Sequence, residues 1–380
     1  MPKKIFLVAC ETSGDAHGAY LLRELAKING SFQFRGLGGL RMKEAGLELL
    51  KDMTKISALG LGDVLRLYFT YRKIFYQTVE DIKAWKPDAV VVIDSPAFNL
   101  RLAKKISGFA PVLYYISPQL WAWGGRRIHI IKRHIARMLV ILPFEVPFYE
   151  KAGVESRFVG HPLLDELDLS GSKETLRAHY EIKKDECAVG LLPGSREKEV
   201  RRIFPIMLKS ATLLGRRIPQ AVFFLRESPN VAREVYDKIL KGFEPLAVRR
   251  FGKSDHDLVR AMDFALVTSG TATLETALLE TPFFLLYKAG WSTYFLGKQL
   301  IKIPYLGLVN LLAEKAVVPE FIQNDAKPTT IAHEAEILLK NPELCRAMKA
   351  EFAEIRRKLG GRGASRNAAE EIALFLSNPA

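Results

Sequence analysis

Short apolar runs that stop at a small-residue turn and pass straight into a helical pattern recur along this chain, and few folds accept that order. Ile5 to Cys10 is followed by Glu11-Thr12-Ser13-Gly14-Asp15 and then by apolar residues at helical spacing from Ala16 to Ile28. Phe32-Gln33-Phe34-Arg35 leads into Gly36-Leu37-Gly38-Gly39 and a helix through Ala45, and Ala89 to Ile93 leads into Asp94-Ser95-Pro96. Pro111 to Ile116 meets Ser117-Pro118-Gln119, and a fifth run lies near Met138 to Leu142. Runs without polar alternation read as strands buried on both faces, and strands alternating with helices give an α/β, doubly wound parallel sheet. Ligands of such sheets gather outside the carboxyl ends of the strands, where each of these turns falls.

At 380 residues the chain exceeds what one core usually organises. A polar stretch with Gly and Ser, Asp165 to Ser172, reads as a linker, and a second alternating series follows it. Its strands are Ala188 to Leu192, Ala221 to Leu225, Leu246 to Arg250, Phe264 to Thr268 and Pro282 to Tyr287. The expectation is two tandem Rossmann-like domains, 1–168 and 173–345, with a cleft between them. Asn341 to Leu376 is helical by period and broken by Gly360-Gly361-Arg362-Gly363, so helices of 346–380 are expected to cross back to the first domain.

Two turns of the second series carry chemistry. Leu191-Leu192-Pro193-Gly194-Ser195-Arg196 ends a strand and enters a charged helix, with Ser195 near the N-cap. Free N–H groups and the positive end of the helix dipole converge there, and Arg196 adds a cation; the turn suits phosphate, although an ordinary βα turn has the same look. Thr268-Ser269-Gly270-Thr271-Ala272-Thr273-Leu274-Glu275 repeats the pattern. Ser269 and Thr271 can cap and donate, Gly270 allows close approach of a ligand, and Glu275 can accept both hydroxyls of a ribose; the competing reading is a capping residue with a dipole-complementing Glu. One turn for diphosphate and one for ribose make a nucleotide site.

The net charge of +14 points to acidic partners, whether phosphorylated small molecules, nucleic acid or an anionic membrane. Cys10, Cys187 and Cys345 are scattered, which suggests neither a disulfide framework nor a zinc site and fits a reducing cytoplasm. The run from Ile5 is too short for a signal peptide, and none approaches the roughly 20 apolar residues of a membrane span. Any membrane contact is therefore expected to be peripheral.

The chain resembles the lipid A disaccharide synthases, two-domain glycosyltransferases of the GT-B class. Seven stretches in order carry the resemblance: Glu11 to Asp15, Ile93 to Pro96, Ser117-Pro118-Gln119-Leu120-Trp121-Ala122-Trp123, Pro143-Phe144-Glu145, Val159-Gly160-His161-Pro162, Leu192 to Arg196 and Ser269 to Glu275. It implies transfer of 2,3-diacylglucosamine from its UDP carrier to 2,3-diacylglucosamine 1-phosphate, giving a β-1,6-linked disaccharide and UDP. It places Ser195 and Arg196 at the diphosphate and Glu275 at the ribose, with Ser269, Gly270, Thr271 and Thr273 in the same turn. Asn310, Glu320 and Gln323 match later family positions in that pocket, and Ser13 and Asp15 fall in the opening motif.

Such a reaction needs a cation and oriented N–H groups at the departing diphosphate, and a base on the opposite face of the sugar. Asp94 follows four β-branched residues, Val90 to Ile93, and is the first candidate for that base; Asp15 is the second. The competing readings are an Asp capping its turn through Ser95 and a helix N-cap at Ser13-Gly14-Asp15. Ala97 stands where the family often has a second acid, and Cys10 where glycine is usual. No cofactor or metal is called for: Asp255-His256-Asp257, after Ser254, reads as a helix start. His17 reads either as reaching the cleft or as a packed or capping histidine, His161 as structural, and Trp121 with Trp123 either as a contact for the substrate sugar or phosphate or as a shelf under the cleft, the shelf being preferred.

Ile56 to Phe75 crowds Leu59, Leu61, Val64, Leu65, Leu67, Tyr68, Phe69 and Phe75 around Arg66, Arg72 and Lys73. That composition suits contact with an anionic leaflet, on the inner face of the cytoplasmic membrane, or a helix packed on its sheet. The other enzyme reading is a different UDP-N-acetylglucosamine enzyme, a peptidoglycan-type transferase or an epimerase. The alternative from a different class is a non-catalytic basic protein that binds nucleic acid; against it the cations are dispersed and no such module is present, so nucleic acid is not an expected partner. Monomer and homodimer are both compatible with the sequence.

Overall fold

The computed structural model describes residues 2–28, 31–57, 64–122, 124–244, 246–252, 255–290 and 303–377. Leu59, Leu61, Trp123 and Ser254 lie outside them, and side chains of the stretch 56–75 are described from Tyr68 onward. The chain divides into two compact units, Met1–Asp165 with Leu359–Ala380, and Glu166–Lys358.

The first unit holds a seven-stranded parallel sheet in the order β3-β2-β1-β4-β5-β6-β7. Its strands are β1 (Lys3–Ala9), β2 (Phe32–Gly38), β3 (Glu48–Asp52), β4 (Ala89–Ile93), β5 (Val112–Tyr115), β6 (Arg137–Val140) and β7 (Ser156–Phe158). β1 and β4 pair from Ile5 with Ala89 to Ala9 with Ile93, and every residue of those five rungs is inaccessible to solvent. Alternation splits them between two faces. Phe6, Val8, Val90 and Val92 pack with Leu100, Ala103 and Ile82, and Ile5, Leu7, Val91 and Ile93 pack with Leu21, Leu22 and Leu25. The chain leaves β1 toward β2 and β3, then starts again at β4 on the other side, so the topological switch point lies between β1 and β4.

The helix Ala364–Ser377 closes the second of those faces: Ala368, Ala369, Ile372, Phe375 and Leu376 join the cluster of Leu21, Leu22 and Leu25. Its start is tied down by Asp165, whose carboxylate accepts from the Gly363 and Ser365 N–H groups. Asn367 donates to the Val159 carbonyl, and Arg137 pairs with Glu371 at 3.2 Å. The helix Pro342–Lys358 belongs to the second unit, where Phe352 stacks on Phe283.

The second unit holds a six-stranded parallel sheet in the order β10-β9-β8-β11-β12-β13. These are β8 (Cys187–Leu192), β9 (Ala221–Arg226), β10 (Val248–Phe251), β11 (Phe264–Thr268), β12 (Phe283–Tyr287) and β13 (Glu320–Ile322). Here the switch point lies between β8 and β11, which pair from Val189 with Phe264 to Leu192 with Val267. Three strands carry no apolar run in the sequence. β3 reads Glu-Leu-Leu-Lys-Asp, while β7 and β13 have three residues each, and all three lie at sheet edges, where only one neighbour is needed.

Candidate active site

In the first unit β4 delivers Asp94 at the switch point. Asp94 and Ser95 have φ of 48° and 47°, two successive non-glycine residues in the left-handed region, each costing roughly 1–3 kcal/mol. Hydrogen bonds hold them there. The Asp94 N–H donates to the Tyr115 carbonyl at 3.0 Å, and the Asp94 carbonyl accepts from Tyr114 Oη and from Asn99 Nδ2, both at 2.6 Å. Asn99, fully buried one turn into the helix Pro96–Ile106, also donates to the Ile93 carbonyl at 3.0 Å. Burial pushes the Asp94 carboxyl above the usual carboxylate range, while the Ser95 N–H and nearby His17 pull the other way.

Asp15 is placed differently. Its buried carboxylate accepts from the backbone N–H groups of Gly39 at 2.7 Å, Met42 at 3.0 Å and Arg41 at 3.2 Å, so it caps the helix Leu40–Glu44 from a neighbouring helix. Three donors on one carboxylate favour a capping role at this position. Ser13 is exposed on the first turn of the helix Thr12–Lys27.

The segment after β5 is clipped to the turn after β6. Glu145 is buried; its Oε1 accepts from Ser117 Oγ and, at 3.1 Å, from Trp121 Nε1, and its Oε2 accepts from the Leu142 N–H. Burial outweighs those donors and raises the Glu145 carboxyl from 4.5 to about 7. Trp121 packs edge-on against Phe144 at 5.0 Å. His161 accepts from the Leu163 N–H through Nδ1, a local capping bond at the end of the first unit.

In the second unit both predicted turns flank the switch point, one after β8 and one after β11. Gly194 has φ of 109°, and a Cβ there would meet Glu199 Oε2 at 2.7 Å, so only glycine makes this turn. The N-cap position of the helix Glu197–Arg217 is Arg196, one residue later than the expected Ser195, and its side chain makes no capping bond. Arg196 is 81% exposed and, among the described residues, pairs with Glu199 alone, at 2.9 Å, an i,i+3 contact worth about 0.2–0.5 kcal/mol. The guanidinium is thus cheaply redirected toward an anion at the helix terminus.

Gly270, at φ 154°, is the N-cap of the helix Thr271–Leu278, with open space where a Cβ would stand. Thr273 turns its hydroxyl back onto the Gly270 carbonyl at 2.8 Å, while Ser269 and Thr271 stay at least partly exposed at the turn. Glu275 is buried, and its Oε1 meets Arg226 Nη1 at 2.5 Å and His256 Nε2 at 3.4 Å. Nothing in the sequence marked Arg226 or His256 as its partners. Asp255, next to His256, caps the helix His256–Ala261 by accepting from the Leu258 N–H.

Asn310 and Glu320 share a hydrogen-bond network. Asn310 Oδ1 accepts from the Val317 and Val318 N–H groups, and its Nδ2 donates to the Val318 carbonyl and to Glu320 Oε1. Glu320 also accepts from the Leu306 and Gly307 N–H groups, both at 2.9 Å. These two residues fix the approach to β13. Gln323, buried and at φ 53°, reaches the Ala289 carbonyl at 3.4 Å.

Known proteins with this pattern are consistent among themselves. The family model described as "Lipid-A-disaccharide synthetase" matches residues 5–375. A lipid-A-disaccharide synthase of Syntrophus aciditrophicus is 42% identical over 371 residues, covering 97% of this chain and 96% of that protein. One of Trichlorobacter lovleyi is 41% identical with the same coverage. Among solved structures, UDP-GlcNAc 2-epimerase from Neisseria meningitidis bound to UDP-GlcNAc superposes with a TM-score of 0.67 at 14% identity, covering 98% of this chain and 100% of that one. At that identity the likeness is one of fold, two Rossmann-like sheets of the GT-B class. With the family model and the curated relatives spanning nearly its whole length, the chain belongs to the lipid-A-disaccharide synthetase family and is a glycosyltransferase that forms the lipid A disaccharide.

Proposed function

We propose that the carboxyl ends of β8, β9 and β11 hold the UDP half of UDP-2,3-diacylglucosamine, and that Asp94 is the base acting on 2,3-diacylglucosamine 1-phosphate. One observation carries this reading. The candidate residues fall at the switch points of the two sheets: Asp94 beside the β1–β4 gap, Arg196 and Glu275 on the turns and helices that follow β8 and β11. In such sheets these are the places where ligands bind.

The reaction then runs as a single displacement with inversion. Asp94 takes the proton of the acceptor 6-hydroxyl as that oxygen bonds to the anomeric carbon. The bond from that carbon to the diphosphate oxygen breaks, and UDP leaves with the electron pair. Negative charge develops on the leaving group, where Arg196 and the uncapped N–H groups at the start of the helix Glu197–Arg217 stabilise it. Burial makes Asp94 a stronger base than an exposed carboxylate. Glu275 accepts from the ribose hydroxyls, and Ser195, Ser269 and Thr271 supply hydroxyls around the nucleotide.

The acyl chains of both substrates keep them in a bilayer, and we assign the exposed Tyr68, Phe69 and Tyr76, with Arg72 and Lys73 on the same stretch, to peripheral contact with an anionic leaflet. No described helix is long and apolar enough to cross a membrane.

The test uses purified protein with both acylated substrates and no added metal, measuring UDP and disaccharide by mass spectrometry and UDP affinity by calorimetry. Asp94→Asn is expected to lower turnover by about 10²–10⁴-fold with UDP affinity intact. Arg196→Ala is expected to weaken UDP binding and turnover together. Normal turnover by Asp94→Asn would remove Asp94 as the base.

A further inference from the structure

Two side chains outside every recognised motif converge on Glu275. Arg226 is the last residue of β9, and the strand order β9-β8-β11 sets its carboxyl end beside the two turns already described. Its Nη1 stands 2.5 Å from Glu275 Oε1, with both side chains 11% exposed, and His256 Nε2 lies 3.4 Å from the same oxygen. Among the described residues every partner of Glu275 meets Oε1, and none meets Oε2. A carboxylate held by one oxygen on a nearly buried guanidinium has lost most of its rotational freedom. Its second oxygen points wherever the first is pinned.

We propose that Arg226 is a positioning residue for nucleotide recognition: it clamps Oε1 of Glu275, with His256 as a second contact, so that Oε2 meets the hydroxyls of the donor's ribose. The proposal rests on the reading of Glu275 as the ribose acceptor. It predicts that selection of ribose over 2′-deoxyribose depends on a residue that need not touch the sugar. A clamp lost at Arg226 leaves the carboxylate present and charged but free to turn, so the affinity that depends on the hydroxyl is lost and the rest is kept.

The experiment compares dissociation constants for UDP and 2′-deoxy-UDP in wild-type, Arg226→Met, Arg226→Lys and Glu275→Gln proteins, by calorimetry, with melting curves alongside. Wild-type protein is expected to favour UDP by about tenfold, the worth of one hydrogen bond to a charged group. Arg226→Met is expected to bring the ratio close to one by weakening UDP alone, and Arg226→Lys, which keeps the charge but not the planar fork, to recover part of it. If Arg226→Met does not fold, Arg226→Lys carries the test through a ratio below that of wild type. A ratio unchanged in both Arg226 variants, or an equal loss for both nucleotides, overturns the clamp while leaving Glu275 at the ribose. A wild-type protein that does not discriminate, or a Glu275→Gln protein that discriminates as well as wild type, removes the ribose reading and the clamp with it.

Discussion

Asp94 and Ser95 stand in a conformation that neither would adopt alone, and the groups that hold them are buried. Asn99 Nδ2 bridges the Ile93 and Asp94 carbonyls, and Tyr114 Oη adds a second donor to the latter. Three hydrogen bonds at about 1 kcal/mol each roughly match the strain of two left-handed residues. Asn99→Ala removes two of them and leaves the Asp94 carbonyl with Tyr114 Oη alone, so it is expected to cost about 1–3 kcal/mol in denaturant unfolding. Because the same change releases the backbone of the proposed base, turnover should fall by about tenfold or more while UDP affinity stays at the wild-type value. Full turnover in a destabilised Asn99→Ala protein would show that the clamp serves folding only. Asp94 was legible in the sequence because it ends an unbroken apolar run. Its partner Tyr114 was not, since the two are 20 residues apart and meet only through the pairing of β4 with β5. The same holds for Arg226 and Glu275, separated by 49 residues.

At the level of elements, what could be read was what depends on local apolar content. The ten apolar runs predicted as strands all correspond to strands of the two sheets, because a central parallel strand must be apolar on both faces. β3, β7 and β13 escaped because an edge strand is held by its neighbour and needs no such run. The turn after β5 was read, but not what holds it: Ser117 and Trp121 are placed by Glu145, a carboxylate whose role is set by tertiary contact. That contact has a pH signature. Folding raises the Glu145 carboxyl from 4.5 to about 7, so the native state binds its proton more tightly than the unfolded state does. The stability this contributes is complete below about pH 4.5 and is lost as pH rises through 7. The loss is on the order of 3 kcal/mol across that window. Glu145→Gln carries no such proton, and the difference in unfolding free energy between wild type and variant should shift in the variant's favour from pH 5 to pH 8. A difference that stays flat with pH would mean that Glu145 is ionised at both values.

For the whole molecule, the net charge of +14 and the aromatic stretch of the first unit would both favour the membrane contact proposed above. On the helix Val64–Trp85, Ile74, Thr78, Val79 and Ile82 are buried, while Tyr68, Phe69, Arg72, Lys73 and Tyr76 are exposed, with Tyr68, Arg72 and Tyr76 four residues apart. A stripe of aromatic rings flanked by cations gains from both an apolar boundary and an anionic headgroup layer, and the two gains separate experimentally. Added salt screens the charge and leaves ring insertion in place. Binding to vesicles containing anionic lipid should therefore exceed binding to neutral vesicles and weaken with salt, without vanishing. Tyr68→Glu with Phe69→Glu removes the rings and repels the headgroups, and partitioning is expected to fall by about tenfold or more in both vesicle types, since two inserted rings are worth well over 1.4 kcal/mol. UDP affinity, which we assign to the other unit, should not change. If the double variant sediments with vesicles as wild type does, the rings are not the contact, and the charge of the molecule must reach the membrane through another face.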